Sequence, residues 1–311
     1  MTNDRLSEVL DLIQVRSVVS GGMAMRGRWE SRAAVVDELK FFAMVQGSAR
    51  LSTNGMTAPI ELAAGDVVVL NGRAWLELHG GTGNGEPVRI EPPEAGTMVG
   101  LDGVTAADDI LLGGRVQLNP TGRELLLQTL PPVAHVGSAS PVGPHLRGHV
   151  DRLFNEIRAQ RVGSDFAVRQ YGQLLLLDVF RGFLNDANVP PGWLKVLADE
   201  RLRPALNLIH EQPAKAWNLE DLARAAGMSR TTFAGRFREV AGTTPMAYLI
   251  DWRMLLAKHE LHSGDARIRP LALQLGYSSE SAFSNAFKRK VGESPLNYRS
   301  RVRRSPDPAT A

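Results

Sequence analysis

The amino-acid sequence predicts an α+β chain of two domains: a β-barrel near the N-terminus with a helical segment after it, and an all-α C-terminal domain holding two helix-turn-helix units. Three observations carry this. Many short segments of alternating polarity, separated by turn dipeptides, fill the first ninety or so residues. The last third contains an internal repeat: at an offset of fifty, Ser229, Phe233, Phe237, Arg238, Gly242, Pro245 and Tyr248 are answered by Ser279, Phe283, Phe287, Lys288, Gly292, Pro295 and Tyr298. Charge is divided unevenly, with 17 Lys+Arg against 21 Asp+Glu in residues 1–194 and 19 against 11 in residues 195–304.

Composition narrows the function classes. The chain has 311 residues, 43% of them hydrophobic, which is ordinary for a globular protein. No apolar run approaches the roughly 20 residues of a membrane-spanning helix. The opening MTNDRLSEVL lacks a basic stretch followed by an apolar one, so no signal peptide is expected and a cytoplasmic protein is. Without any cysteine the chain has no disulfides, thiolate metal sites or thiol redox chemistry. A basic C-terminal half beside a mildly acidic N-terminal half suggests that one half meets a polyanion.

Taken in order, residues 1–13 form a short amphipathic helix with Leu6, Val9, Leu10 and Ile13 on one face. Strands are expected at 15–20, 40–47, 49–53, 66–70, 74–79 and 88–91. Asn54-Gly55 predicts a tight hairpin, since both residues tolerate positive φ, and Gly65-Asp66 and residues 80–85 mark further turns. Helical periodicity follows over 144–160 and 164–184, where Tyr171, Leu174, Leu175, Asp178 and Val179 recur at three- and four-residue steps. Residues 185–193, with two prolines and a glycine, read as a linker, and residues 305–311 as a frayed tail. The resulting division is a sensor domain at 1–143, a helical dimerisation and linker segment at 144–192, and a helical domain at 193–304.

In the first repeat, Asn218 caps a helix whose inner face is Leu219, Leu222, Ala223 and Ala226, Gly227 ends it, and Ser229 caps the next. In the second, Pro270 suits a first turn, Leu271, Ala272 and Leu275 face inward, Gly276 makes the turn and Ser279 caps. Phe233 and Phe237, like Phe283 and Phe287, lie one turn apart and are expected in the core. The stretch 245–264 predicts one long helix joining the copies. Two helix-turn-helix units on a rigid connector, in a basic domain, match the geometry that places recognition helices in adjacent major grooves.

At this point a resemblance is plain. WNLEDLARAAGMSRTTFAGRFREVAGTTPMAYLIDWRM and LQLGYSSESAFSNAFKRKVGESPLNYR, within residues 193–303, resemble the DNA-binding domain of the AraC/XylS family of bacterial transcription regulators. More loosely, FFAMVQGSARLSTNG, LAAGDVVVL and LLLQTLPPVAHV resemble the cupin-type barrel of one branch of that family, so the N-terminal domain is expected to be cupin-like. The resemblance implies sequence-specific binding to double-stranded promoter DNA, control by a small-molecule effector, and dimerisation through the helices at about 144–184 that dock on the barrel. RNA polymerase is a candidate partner, and association with the bacterial nucleoid follows from DNA binding.

By position, the DNA-facing residues implied are Arg230, Thr231, Thr232, Arg236 and Arg238 in the first unit and Ser279, Glu280, Ser281, Ser284, Asn285, Lys288 and Arg289 in the second. Arg238, Lys288, Arg289 and Lys290 suit phosphates, whereas Asn285 suits the bidentate pattern of adenine. The family commonly has arginine where this chain has Gly235 and Asn285. Gly235 offers a base no side chain and costs its helix about 1 kcal/mol relative to alanine.

In the barrel, alternation puts Trp75, Glu77 and His79 on one face, a candidate effector-pocket lining or else a solvated face. Metal-binding cupins carry histidines on this strand. Only His79 lies near, and a metal site needs about three or four ligands, so neither metal, cofactor nor catalytic residue is expected. His145 and His149, one turn apart, lack a third ligand in the sequence. The alternative function, a metal-dependent cupin enzyme with a DNA-targeting domain, suffers from the same missing histidines.

Overall fold

The computed structural model describes residues 4–14, 16–94, 97–100, 108–184, 190–263 and 266–304. Its elements run α1 (Arg5–Ile13), β1 (Arg16–Met25), β2 (Trp29–Ala34), β3 (Leu39–Gln46), β4 (Ser48–Thr53), β5 (Ile60–Ala63), β6 (Val67–Asn71), β7 (Trp75–Gly80), β8 (Val88–Arg89), β9 (Thr97–Val99), β10 (Asp109–Gln117), α2 (Pro120–Thr129) and β11 (Val133–Val136). Helices follow: α3 (Gly143–Ala159), α4 (Ser164–Leu184), α5 (Trp193–Ala198), α6 (Arg203–Glu211), α7 (Leu219–Ala225), α8 (Arg230–Ala241), α9 (Pro245–Ser263), α10 (Ile268–Gln274), α11 (Glu280–Val291) and α12 (Pro295–Arg304). The chain divides into two compact units, one of residues 15–117 and 130–187, the other of residues 1–14, 118–129 and 188–311. This differs from a boundary near 143: α1 and α2 pack with the C-terminal helices, by long-range contacts that no local pattern announces. Residues 185–189 of the expected linker, Gly264 and the tail 305–311 lie outside the described residues.

The strand-rich unit holds two sheets, ordered β11-β6-β3-β10-β1-β9 and β5-β4-β7-β2-β8. Their inner faces close on one core that includes Met23, Trp29, Phe42, Met44, Leu51, Leu76, Leu78 and Leu111. Strand alternation sorts β7 cleanly, with Leu76 and Leu78 buried and Trp75, Glu77 and His79 half-buried on the other face. Polar groups seal particular joints. Trp29 Nε1 donates to Asp109 Oδ2 at 2.7 Å, and the amide of Ser48 donates to Asp109 Oδ1 at 3.1 Å. Burial opposes ionisation of Asp66, but the amides of Ala63 and Ser138 and the His135 ring outweigh it and hold the carboxyl below its ordinary range. The Asn54-Gly55 turn forms, with Gly55 at φ +82°, but it opens a six-residue connection (54–59) between β4 and β5 rather than a two-residue hairpin. Asn54 is occupied elsewhere, since its Oδ1 accepts the Ala74 amide and its carbonyl accepts Arg73. Helices α3 and α4 pair beside the sheets, and His149 Nδ1 meets the buried Asp178 at 2.8 Å across that pairing, while His145 is exposed.

The second unit is helical and built twice over. In the first half Phe237 lies 5.7 Å from Phe233 and 5.5 Å from Tyr248, ring to ring. In the second half Phe287 lies 5.7 Å from Phe283 and 5.6 Å from Tyr298, at nearly the same ring angles. Six aromatic residues of the repeat thus form two copies of one packing motif, and their repeated spacing is a core requirement. Helix α9 is common to both: Tyr248, Leu249 and Trp252 are buried in its first half, and Met254, Ala257 and Leu261 enter the second core. Thr244 and Ser294 cap equivalent helix starts, accepting the amides of Ala247 and Asn297, each at 3.2 Å.

Candidate nucleic-acid interface

Each recognition helix starts at a serine whose hydroxyl replaces a missing backbone partner. Ser229 Oγ accepts the Thr232 amide at 3.2 Å and Ser279 Oγ accepts the Ala282 amide at 3.1 Å. Each helix ends at a left-handed glycine, Gly242 at φ +69° and Gly292 at φ +89°. The tight turns before them use Gly227 at φ +63° and Gly276 at φ +79°. Capping at both ends and a phenylalanine pair beneath fix which face points outward.

On α8 that outward face carries Arg230, Thr231, Thr232, Gly235 and Arg238, all exposed. Thr232 also supports the cap, with its hydroxyl 2.9 Å from Ser229 Oγ. Arg236 has a different position. It is half-buried, and its guanidinium meets Asp199 Oδ2 at 2.7 Å. Asp199 is 6% exposed and also accepts the amides of Arg201 and Leu202 at 3.0 Å each, so it anchors the turn between α5 and α6. Arg236 therefore has an internal role, as counter-ion to a buried carboxylate; nothing in the local sequence pointed to Asp199, which lies 37 residues away. Gly235 is exposed on a regular helix, and a Cβ placed there meets nothing within 4 Å.

On α11, Glu280, Ser281, Asn285, Lys288, Arg289 and Lys290 are exposed and Ser284 is half-buried. Ser279 is a helix cap first. Lys290 Nζ pairs with Asp251 Oδ1 of α9 at 2.6 Å, tying the recognition helix to the connector. The two helices differ electrostatically: α8 opens with Arg230 and has no acid in its first turn, whereas α11 opens with Glu280 and ends in Lys288, Arg289 and Lys290. The positive end of the α8 dipole is thus open to a phosphate, and cationic charge on α11 is concentrated at its C-terminal turn.

In the strand-rich unit, Trp75, Glu77 and His79 stand together but not around a cavity of the core. His79 Nε2 is 2.7 Å from Glu77 Oε1, and the Arg32 guanidinium lies 4.9 Å from the Trp75 ring centroid. They form a polar ladder on the outer face of their sheet, because the register that buries Leu76 and Leu78 turns their neighbours outward. His79 also borders a shallow surface depression of about 140 Å³ with Arg28 and Glu61. Among the described residues no three His, Asp or Glu side chains gather as a metal site would require, and no helix is long and apolar enough to cross a membrane.

A family profile described as Cupin matches residues 4–185, and one described as Helix-turn-helix domain matches residues 222–301. The chain is similar to a putative AraC-like transcription regulator of Streptomyces lividans, 34% identical over 303 residues that cover 95% of this chain and 98% of that protein. It is similar also to the HTH-type transcriptional regulator AlkR of Acinetobacter baylyi, at 29% identity over 95% and 99% of the two chains. Among solved structures it resembles the DNA-binding domain of AdpA in complex with a target DNA, with 34% identity, a TM-score of 0.33, and coverage of 35% of this chain and 98% of that one. A helix-turn-helix profile over residues 222–301, a strand-rich region with the cupin profile and end-to-end relatives lead to one conclusion: this chain belongs to the AraC-like transcription regulators, DNA-binding proteins with a cupin region followed by a helix-turn-helix domain.

Proposed function

We propose that the chain binds promoter DNA in a sequence-specific manner by seating α8 and α11 in successive major grooves on one face of the duplex, and that it regulates transcription in response to a small molecule. The observation that carries this is the duplicated core, in which two equivalent recognition helices are fastened to one strut. A 19-residue helix spans about 28 Å, comparable with the roughly 34 Å of one B-DNA turn. Arg230, Thr231, Asn285 and Ser281 are the base-facing candidates, and Arg238, Lys288 and Arg289 the phosphate-facing ones.

We infer further that the active form is a dimer. Helix α4 leaves Phe166 and Leu174 exposed, and Val162 stands bare just before it, an apolar stripe suited to a second copy. The reading assigns the chain no catalytic step, places it where the chromosome is, and leaves RNA polymerase as the partner through which promoter occupancy acts.

Selection of bound fragments from random duplexes, followed by footprinting, tests the reading. Two protected major-groove segments per subunit, about 10.5 base pairs apart, are expected. Affinity should fall steeply with salt as phosphate contacts release counterions. Protection of a single groove segment per subunit, or a flat salt response, would overturn it.

A further inference from the structure

The axis of α9 is not the whole of the link between the two recognition units. Arg253, in the middle of α9, reaches the loop that joins α6 to α7. Its Nε donates to the Pro213 carbonyl at 2.7 Å and its Nη2 to the Lys215 carbonyl at 3.0 Å. The same guanidinium carbon lies 5.7 Å from the centroid of the Tyr277 ring. Tyr277 directly follows the turn glycine of the second unit and packs edge-on to Phe283 of α11, with ring centroids 5.4 Å apart. One side chain thus touches the entry to the first unit and the turn of the second.

The loop that it holds is braced. The Gln212 carbonyl accepts the Lys215 amide and the Trp217 indole, each at 3.1 Å, and the Lys215 carbonyl accepts the Trp217 amide at 2.9 Å. The Lys215 ammonium stands over the Trp217 ring, 3.8 Å from its centroid. Asn218, next in the chain, caps α7. Gly276 closes the joint from the other side, because a Cβ added there would overlap the backbone carbonyl group of Ala214. Gly227, its counterpart in the first unit, has a similar left-handed backbone, yet a Cβ there meets nothing within 4 Å. Left-handed φ accounts for both glycines. At Gly276 the missing side chain serves a second end: the turn of one unit lies directly on the loop that feeds the other.

One base pair more or less between two major-groove segments changes their separation by about 3.4 Å and their relative rotation by roughly 35°. A helix alone follows part of such a change by bending. Two hydrogen bonds near 3 Å to a braced loop do not, since a displacement of about 1 Å already breaks them. We propose that Arg253, with Tyr277 and Gly276, is the positioning clamp that sets the half-site spacing this protein accepts. Helix α9 determines how far apart α8 and α11 stand, and the clamp determines how far one turns relative to the other. Arg253 is committed to backbone carbonyls, so it acts on specificity through the two recognition helices and not on a base. The proposal rests on the two-groove reading above.

Gel-shift titration of the full chain tests it, on the duplex recovered by selection and on duplexes with one base pair inserted or removed between its two protected segments. The wild-type chain is expected to lose at least about tenfold in affinity per step, the order of one forfeited bidentate base contact. Arg253→Met keeps an unbranched stem but no donor, and should reduce that loss to about threefold or less. Gly276→Ala should relax it likewise by lifting the loop from the turn, whereas Gly227→Ala, similarly strained in φ but uncrowded, should keep the wild-type ratio. The ratio of affinities is the deciding quantity, because chain lost to unfolding counts equally against every duplex. A full loss retained in Arg253→Met, or Gly227→Ala relaxing as far as Gly276→Ala, would overturn the clamp with the two-groove reading intact. So would a wild-type chain that protects two segments at every spacing with equal affinity. Footprints with a single protected segment on every duplex would instead overturn the two-groove reading, and the clamp's role with it.

Discussion

Gly235 and Asn285 occupy equivalent places in the two recognition helices, yet only one has a side chain. The glycine is not demanded by packing, since a Cβ there touches nothing and the backbone is helical. Gly235→Ala should therefore stabilise the helical unit by up to about 1 kcal/mol in a denaturant titration. If the glycine lets the α8 backbone lie close against DNA, the same change weakens DNA binding despite that gain; a variant gaining stability and affinity together would remove the idea. Arg236 and Arg238, two positions apart, should separate in the opposite sense. Arg236→Ala strips a buried carboxylate of its counter-ion and should destabilise the fold, whereas Arg238→Ala should leave stability unchanged and reduce the salt slope of DNA binding by roughly one. Arginine side chains of equal sequence appeal thus divide by what lies opposite them. The exposed face was legible from helical spacing. The Asp199 partner was not, because ion pairing across 37 residues leaves no periodic trace.

At the level of elements, the repeat works because each helix is specified at both ends and along one face. Caps, left-handed glycines and one-turn phenylalanine pairs are local devices, so residues 218–242 and 268–292 could be read from the chain almost as they fold. Their energies differ in kind. Ser229→Ala should cost about 1 kcal/mol through one lost cap, and Phe237→Ala about 3–5 kcal/mol because it empties the centre of the aromatic cluster. Urea unfolding followed by helical circular dichroism distinguishes the two, and equal losses would contradict the assignment of Phe237 to the core. Strands were harder. β3, β4, β6 and β7 lie where alternation and turn signals put them, whereas β2, β5, β10 and β11 carry weaker patterns and depend on neighbours for pairing. Alternation on β7 named the right set of residues but not its side, because a period of two leaves open which face meets the core.

At the scale of the whole molecule, the unexpected feature is the docking of α1 on the helical unit. Arg5, 7% exposed, bonds Glu211 at 2.6 Å and Asn207 at 3.0 Å, and Glu8 lies 3.2 Å from the buried His210, whose other nitrogen is 3.0 Å from the Tyr248 hydroxyl. Burial holds the His210 imidazole below its ordinary 6.5, although Glu8 pulls upward. Burial likewise works against the Glu8 carboxylate, but His210 and Arg5 hold it below its ordinary 4.5. For His210 the unfolded chain takes up its proton first, so stability is lost as pH falls below about 6.5; for Glu8 the loss comes below about 4.5, in the same direction. The melting temperature of the helical unit should accordingly fall between pH 7 and pH 5, and His210→Phe, which keeps the stack on Trp252, should flatten that fall; an unchanged slope would place the titration elsewhere. The order and type of the duplicated helices, their caps and their buried aromatic faces were determined by the sequence alone, because helix geometry repeats over distances shorter than the elements themselves. Which unit α1 and α2 join, which arginine is spent on Asp199, which face of β7 is inward and which loop Arg253 holds were decided only by tertiary structure, since each depends on groups far apart in the chain that meet once it has closed on itself.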